Sequence, residues 1–217
     1  MSDYQKKGFL TEDYRLFHLR SDGGTRPEFH YHEFCKILML VSGSGGYTVD
    51  GRRYALQSGD IVLVGSHTVH RPEFEPGAAY ERIILYISPD FLRRASVPDC
   101  DLTECFRSGH VLRLGEPERK RLFSLAAALE RELAGEDYGR ELLCHAALLR
   151  LLVRIGRELR RTDAPRPGPV KPGNERVAAI LRYLDRHLTE DICIDDLAEQ
   201  FYLSKYHMMR LFRWETG

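Results

Sequence analysis

The chain has 217 residues, 43% of them hydrophobic, enough for a real core in one large domain or two modest ones. Its 32 basic residues balance 32 acidic ones, so the molecule as a whole has no bulk attraction for polyanions. Five cysteines (Cys35, Cys100, Cys105, Cys144 and Cys193), odd in number and without a CxxC pair, argue against a disulfide framework.

The opening MSDYQKKGFLTEDY lacks the apolar centre of a signal peptide. No apolar run approaches the roughly 20 residues that span a bilayer. These features predict a soluble, cytoplasmic protein. Along residues 1–115 the segments FHLR, CKILMLV, GYTVD, RRYAL, DIVLV and ERIILYI read as strands. They are bounded by GSGG, DG, SGD and EPG. Asp50-Gly51 is a strong hairpin turn, and many short strands with glycine turns predict a sandwich or barrel. The period then changes. Leu122, Leu125, Ala126, Leu129 and Leu133 recur at helical spacing, as do Leu142, Leu143, Ala146, Leu149, Leu152 and Val153. Gly135 separates them, so residues 116–161 are expected to form a helical hairpin.

Residues 162–173, TDAPRPGPVKPG, hold four prolines and two glycines and read as a semi-rigid linker. From 174 to 217 a helix marked by Val177, Ile180, Leu181, Leu184 and Leu188 precedes a helix-turn-helix. Leu197, Ala198 and Phe201 line its first helix, and Tyr202-Leu203 make the turn. Ser204 caps a second helix, in which Met208, Leu211 and Phe212 face inward. Lys205, Tyr206, Met209, Arg210 and Arg213 then face outward, a set suited to the DNA major groove. The alternative is an amphipathic hairpin with a solvated face. From Asn174 onward six cations meet eight acids, a net charge of −2, so non-specific DNA affinity should be low.

LSKYHMMRLFRWETG resembles the first helix-turn-helix of AraC-type bacterial transcription regulators: the Ser-Lys-aromatic-His opening, the Arg-apolar-Phe centre and the closing Glu-Thr-Gly all match. The resemblance implies that Ser204, Lys205, Tyr206, His207, Met209, Arg210 and Arg213 form the DNA-contacting set. Within it Tyr206, Met209 and Arg210 face bases. Met209 departs from the polar residue common there. The family module carries two such motifs, and this chain stops after the first. GDIVLVGSHTVHRPEF and YERIILYISPDF likewise resemble the sensor barrels of that family.

In the barrel, His30-Tyr31-His32, Lys36 and Gly43 have the spacing of the first cupin motif, and Gly59-Asp60 with His70 that of the second. If residues 30, 32 and 36 lie on one strand, they share a face and can meet His70 from a neighbouring strand. Cupin metal sites add a carboxylate to three histidines; here Lys36 holds that place, which weighs against tight metal binding. A small-molecule pocket of His30, His32, Lys36 and His70 is the favoured reading. If a metal binds at all, His30, His32 and His70 are its ligands.

The expectation is an α+β protein: a cupin-like ligand-sensing β-barrel (1–115), a helical hairpin for dimerisation (116–161), the linker (162–173), and a truncated all-α helix-turn-helix unit (174–217). It implies a ligand-responsive, sequence-specific DNA-binding regulator, not an enzyme, and no cofactor. The partners are DNA, bound weakly in this form, a sugar or an organic acid, and a second copy of the chain. The alternatives are a metal-dependent cupin enzyme, an isomerase or dioxygenase, and a sensor and dimerisation protein that does not bind DNA.

Overall fold

The computed structural model describes residues 10–22, 28–74, 77, 79–107, 111–161, 175–187 and 191–216. Its N-terminal part is built from β1 (Tyr14–Ser21), β2 (Cys35–Ser42), β3 (Ser44–Val49), β4 (Arg52–Gln57), β5 (Ile61–Val64), β6 (His70–Glu73), β7 (Tyr80–Ile87) and β8 (Val111–Leu112). They form a five-stranded sheet, β1-β7-β2-β5-β8, and a three-stranded one, β4-β3-β6, all antiparallel in the pairs they make. The two sheets share an apolar interior, giving a cupin-like barrel.

The unbroken apolar run of β2 follows from burial on both faces. Leu38 and Leu40 join the interior with Val62, Val64, Ile84 and Tyr86. Cys35, Ile37 and Met39 face the other way with Ile61, Leu63, Ile83 and Leu85, against helices. Those helices are α1 (Pro89–Ala95), α2 (Glu116–Ala134), α3 (Arg140–Arg160) and a 3-10 turn at Leu102–Phe106. Leu122, Leu129, Leu148, Leu151 and Ile155 supply their share of this second core. Ser88 caps α1 by accepting from Asp90 N–H at 3.2 Å.

The predicted Asp50-Gly51 turn is present with both residues at positive φ, 48° and 73°, as a two-residue hairpin requires. Other features differ from the sequence reading. Ser44-Gly45-Gly46 belongs to β3, not to a connection; only Gly43, at φ 97°, turns the chain, and a Cβ there would lie 2.7 Å from the Tyr80 Cβ. The short strands β6 and β8, the helix α1 and the 3-10 turn carry too few residues for their period to show. The apolar positions of α3 divide into two sets. Leu152 is buried in the core, whereas Leu142, Leu143 and Ala146 are exposed.

The C-terminal part comprises α4 (Glu175–Arg186), α5 (Ile194–Gln200) and α6 (Lys205–Thr216). Ile180, Leu197, Ala198 and Met208 form its core, with Tyr183, Phe201, Leu203 and Phe212 packed on it. The proline-rich stretch 162–173 and Leu188 lie outside the described residues. Among the described residues, no helix is long and apolar enough to cross a membrane.

Candidate functional site

The inward alternation of β2 decides the site. Counting from Leu38 and Leu40, the next residue on that face is Lys36, which is only 4% exposed. On β7, paired with β2, the same face carries Tyr80, Ile84 and Tyr86 and, by alternation, Arg82. Tyr47 enters from β3, its ring 5.7 Å from Lys36 Nζ. The causes acting on Lys36 are burial first and the Arg82 guanidinium second, with no compensating carboxylate among the described residues, and together they push its amine down to about 7.

The histidines reach the barrel interior by a different route from the one expected. Residues 30 and 32 are not in β2: the chain bends at Glu33-Phe34, and His30 forms only an isolated bridge with His70. His30 N–H donates to His70 O at 3.2 Å, His70 N–H donates to His30 O at 3.0 Å, and His67 N–H donates to His32 O at 2.8 Å. These bonds bring the rings together. The His30 and His70 centroids lie 4.4 Å apart, His32 and His70 4.8 Å, and His30 and His32 6.5 Å. His32 stacks on Phe34 at 3.9 Å. The Nδ1 atoms of His32 and His70 lie 2.6 and 2.9 Å from the Phe34 and Thr68 carbonyls. Burial holds His32 down to about 3 and His70 well below the usual imidazole range, and the Lys36 charge adds to both. Both rings are therefore neutral at pH 7.

A cupin metal centre does not fit these residues. A backbone carbonyl behind each ring suits a metal ligand, yet Lys36 stands where a carboxylate would be. Among the described residues no group of three or more His, Cys, Asp or Glu side chains could hold a metal ion.

In the helix-turn-helix, Tyr202 takes φ 53°, Leu203 N–H reaches Ala198 O at 2.9 Å and Tyr202 N–H reaches Glu199 O at 3.0 Å. This pair of bonds is a Schellman termination. Ser204 Oγ then accepts from His207 N–H at 3.2 Å. Tyr206 is 77% and Met209 54% exposed, and Lys205 and Arg210 are also exposed. Lys205 Nζ lies 3.0 Å from Asp195 Oδ2, and an Arg210 nitrogen lies 3.5 Å from His207 Nδ1. Arg213 lies within α6, where its side chain is not described.

Sequence reasoning missed Phe34, Tyr47, Arg82 and Tyr86. The signal was available for Tyr47: counting back from the Asp50-Gly51 turn puts Val49 and Tyr47 on one face. Phe34 gave none, because it lies in a bend rather than in a strand.

A barrel of two sheets with a polar group of residues in its interior, backed by helices, defines the class: a cupin-like barrel domain. A family model described as the AraC-like ligand binding domain matches residues 15–152, and the chain belongs to that family. An uncharacterized HTH-type transcriptional regulator of Bacillus subtilis, YbfI, is 22% identical over 188 residues, covering 87% of this chain and 66% of that protein. The HTH-type transcriptional activator RhaS of Salmonella newport is 25% identical over 198 residues, covering 88% of this chain and 66% of its own length. The chain thus spans 66% of the length of these curated relatives. Among solved structures, the AraC-like transcriptional activator CuxR is similar at 16% identity and a TM-score of 0.43, over 83% of this chain and 61% of that one.

Proposed function

We propose that the protein is a ligand-responsive, sequence-specific DNA-binding transcription regulator. In this reading residues 1–115 hold a small polar effector through His32, Lys36 and His70, with His30 beside them. Residues 116–161 pair two copies, and residues 174–217 meet DNA. The observation that carries the reading is the outer face of α6. A sharp, hydrogen-bonded turn and a Ser204 cap present Lys205, Tyr206, Met209 and Arg210 to solvent on one helix, as a major-groove reader requires. Arg210 is the direct reader, since a guanidinium can bond guanine O6 and N7 together. Lys205 and Arg213 are suited to phosphates, and Tyr206 and Met209 to apolar contact with neighbouring bases.

Selection from a random duplex pool at low salt, followed by gel shift, tests this. The expected result is one enriched sequence, with Arg210→Ala weakening binding at a single base pair by about 1–3 kcal/mol. A pool that stays random, or an Arg210→Ala loss spread evenly over all sequences, sinks the reading.

A further inference from the structure

The unmet polar groups of the barrel interior narrow the chemistry of what binds there; this step rests on the barrel being the effector site. A carbonyl oxygen only accepts, so the Nδ1 atoms of His32 and His70, facing the Phe34 and Thr68 carbonyls, must carry the ring protons. In a neutral imidazole the other nitrogen is then a bare lone pair. Both Nε2 atoms are buried and have no hydrogen-bond partner. His32 is 5% and His70 0% exposed, so neither lone pair opens onto bulk solvent.

Tyr47 links the lysine to the histidines: its ring lies 5.7 Å from Lys36 Nζ and stacks on the His70 ring at 6.0 Å. Lys36 has no counter-ion: among the described residues no carboxylate pairs with it, and the cation nearest in effect, Arg82, repels its charged form. Leaving a buried charge and two buried acceptors unpaired is costly. The three deficits are complementary to one kind of molecule.

We infer that the effector is a hydroxy acid, its carboxylate seated on Lys36 and its hydroxyl groups donating to the Nε2 atoms of His32 and His70. A neutral polyol supplies the donors but leaves Lys36 uncompensated. A plain carboxylic acid answers Lys36 but leaves both lone pairs unmet. Histidine here serves as an acceptor, so a ligand that only accepts is rejected at those two points.

Two matched triads test this by calorimetry and thermal shift on the intact chain at pH 7: gluconate, glucose and hexanoate; lactate, propane-1,2-diol and propionate. In at least one triad the hydroxy acid should bind about tenfold or more tightly than either partner, the loss expected for one unmet charged hydrogen bond. Lys36→Met should bring the hydroxy acid down to the level of the neutral polyol. His70→Asn keeps a donor toward Thr68 and removes the Nε2 lone pair; it should erase the preference for the hydroxy acid over the plain acid. Because Lys36→Met replaces a buried charge by an apolar chain of similar length, loss of folding does not cloud the result. If in both triads the polyol, sugar or plain acid binds as well as the hydroxy acid, or Lys36→Met leaves the binding of the preferred hydroxy acid unchanged, the hydroxy-acid inference is overturned while the barrel keeps its role. A chain that binds none of the six overturns both.

Discussion

Lys36 illustrates how one side chain can be a liability to stability and an asset to recognition. Its folded-state value of about 7 lies below that of an exposed lysine. Between about pH 7 and 10.5 the unfolded chain therefore holds a proton that the folded one has shed, and stability rises with pH across that window. Below pH 7 both states are protonated and the folded state carries the whole cost of the buried ammonium. At about 1.4 kcal/mol per pH unit this amounts to a few kcal/mol. Lys36→Met should raise the unfolding midpoint most below pH 7, and the gain should shrink toward pH 10. A gain that is flat with pH, or that grows with it, would show that Lys36 is stabilised by a partner. Asp60 is the contrasting case. It is fully buried, but its oxygens accept from Arg113 at 2.7 and 2.9 Å and from the Gln57 backbone N–H at 2.8 Å. A buried charge met on all sides is a fixture of the fold. One left unmet points to something that arrives from outside.

At the level of single elements, the turn between α5 and α6 shows strain with a measurable sign. Tyr202 occupies the left-handed region, which costs a non-glycine residue about 1 kcal/mol, and its side chain is fully solvated. Tyr202→Gly should therefore stabilise the helical unit slightly, by a few tenths to about 1 kcal/mol after the entropy of glycine is counted, read as a higher urea midpoint for the C-terminal transition. A lower midpoint would mean that the tyrosine ring contributes packing. The sequence displayed α5 and α6 well because their apolar positions and Ser204 are spaced within one or two turns. The same holds for α2 and for the Asp50-Gly51 hairpin. The histidine cluster was legible as residue types but not as geometry. Cupin-like spacing marked His30, His32, Lys36 and His70, whereas the bend at Glu33-Phe34 and the bridge between His30 and His70 depend on pairing across forty residues. Local periodicity cannot report a contact of that range, and Arg82 escaped notice for the same reason.

At the largest scale, the described part of residues 10–161 is arranged in three layers: a small sheet, a large sheet, and helices on the large sheet's outer side. The outermost surface of α3 presents Leu142, 75% exposed, with Leu143 and Ala146 along the same helix. This is where a second copy is expected to dock. Leu142→Glu with Leu143→Glu should yield a monomer by light scattering with the barrel still folded, whereas Leu152→Ala, which opens a cavity in the core, should cost about 2–5 kcal/mol of stability. A dimer that survives the paired substitution would move the interface elsewhere. The middle layer has a mechanical consequence. In β2 and β5, Leu38 and Val62 face the barrel interior, while their neighbours Ile37 and Leu63 press on the helices, so a single backbone thickness divides the two. Close-packed side chains on both sides leave little free volume to soak up a displacement. Such a wall behaves as a stiff diaphragm: a molecule that swells the barrel interior has its pressure felt on the outer side, with no moving part between.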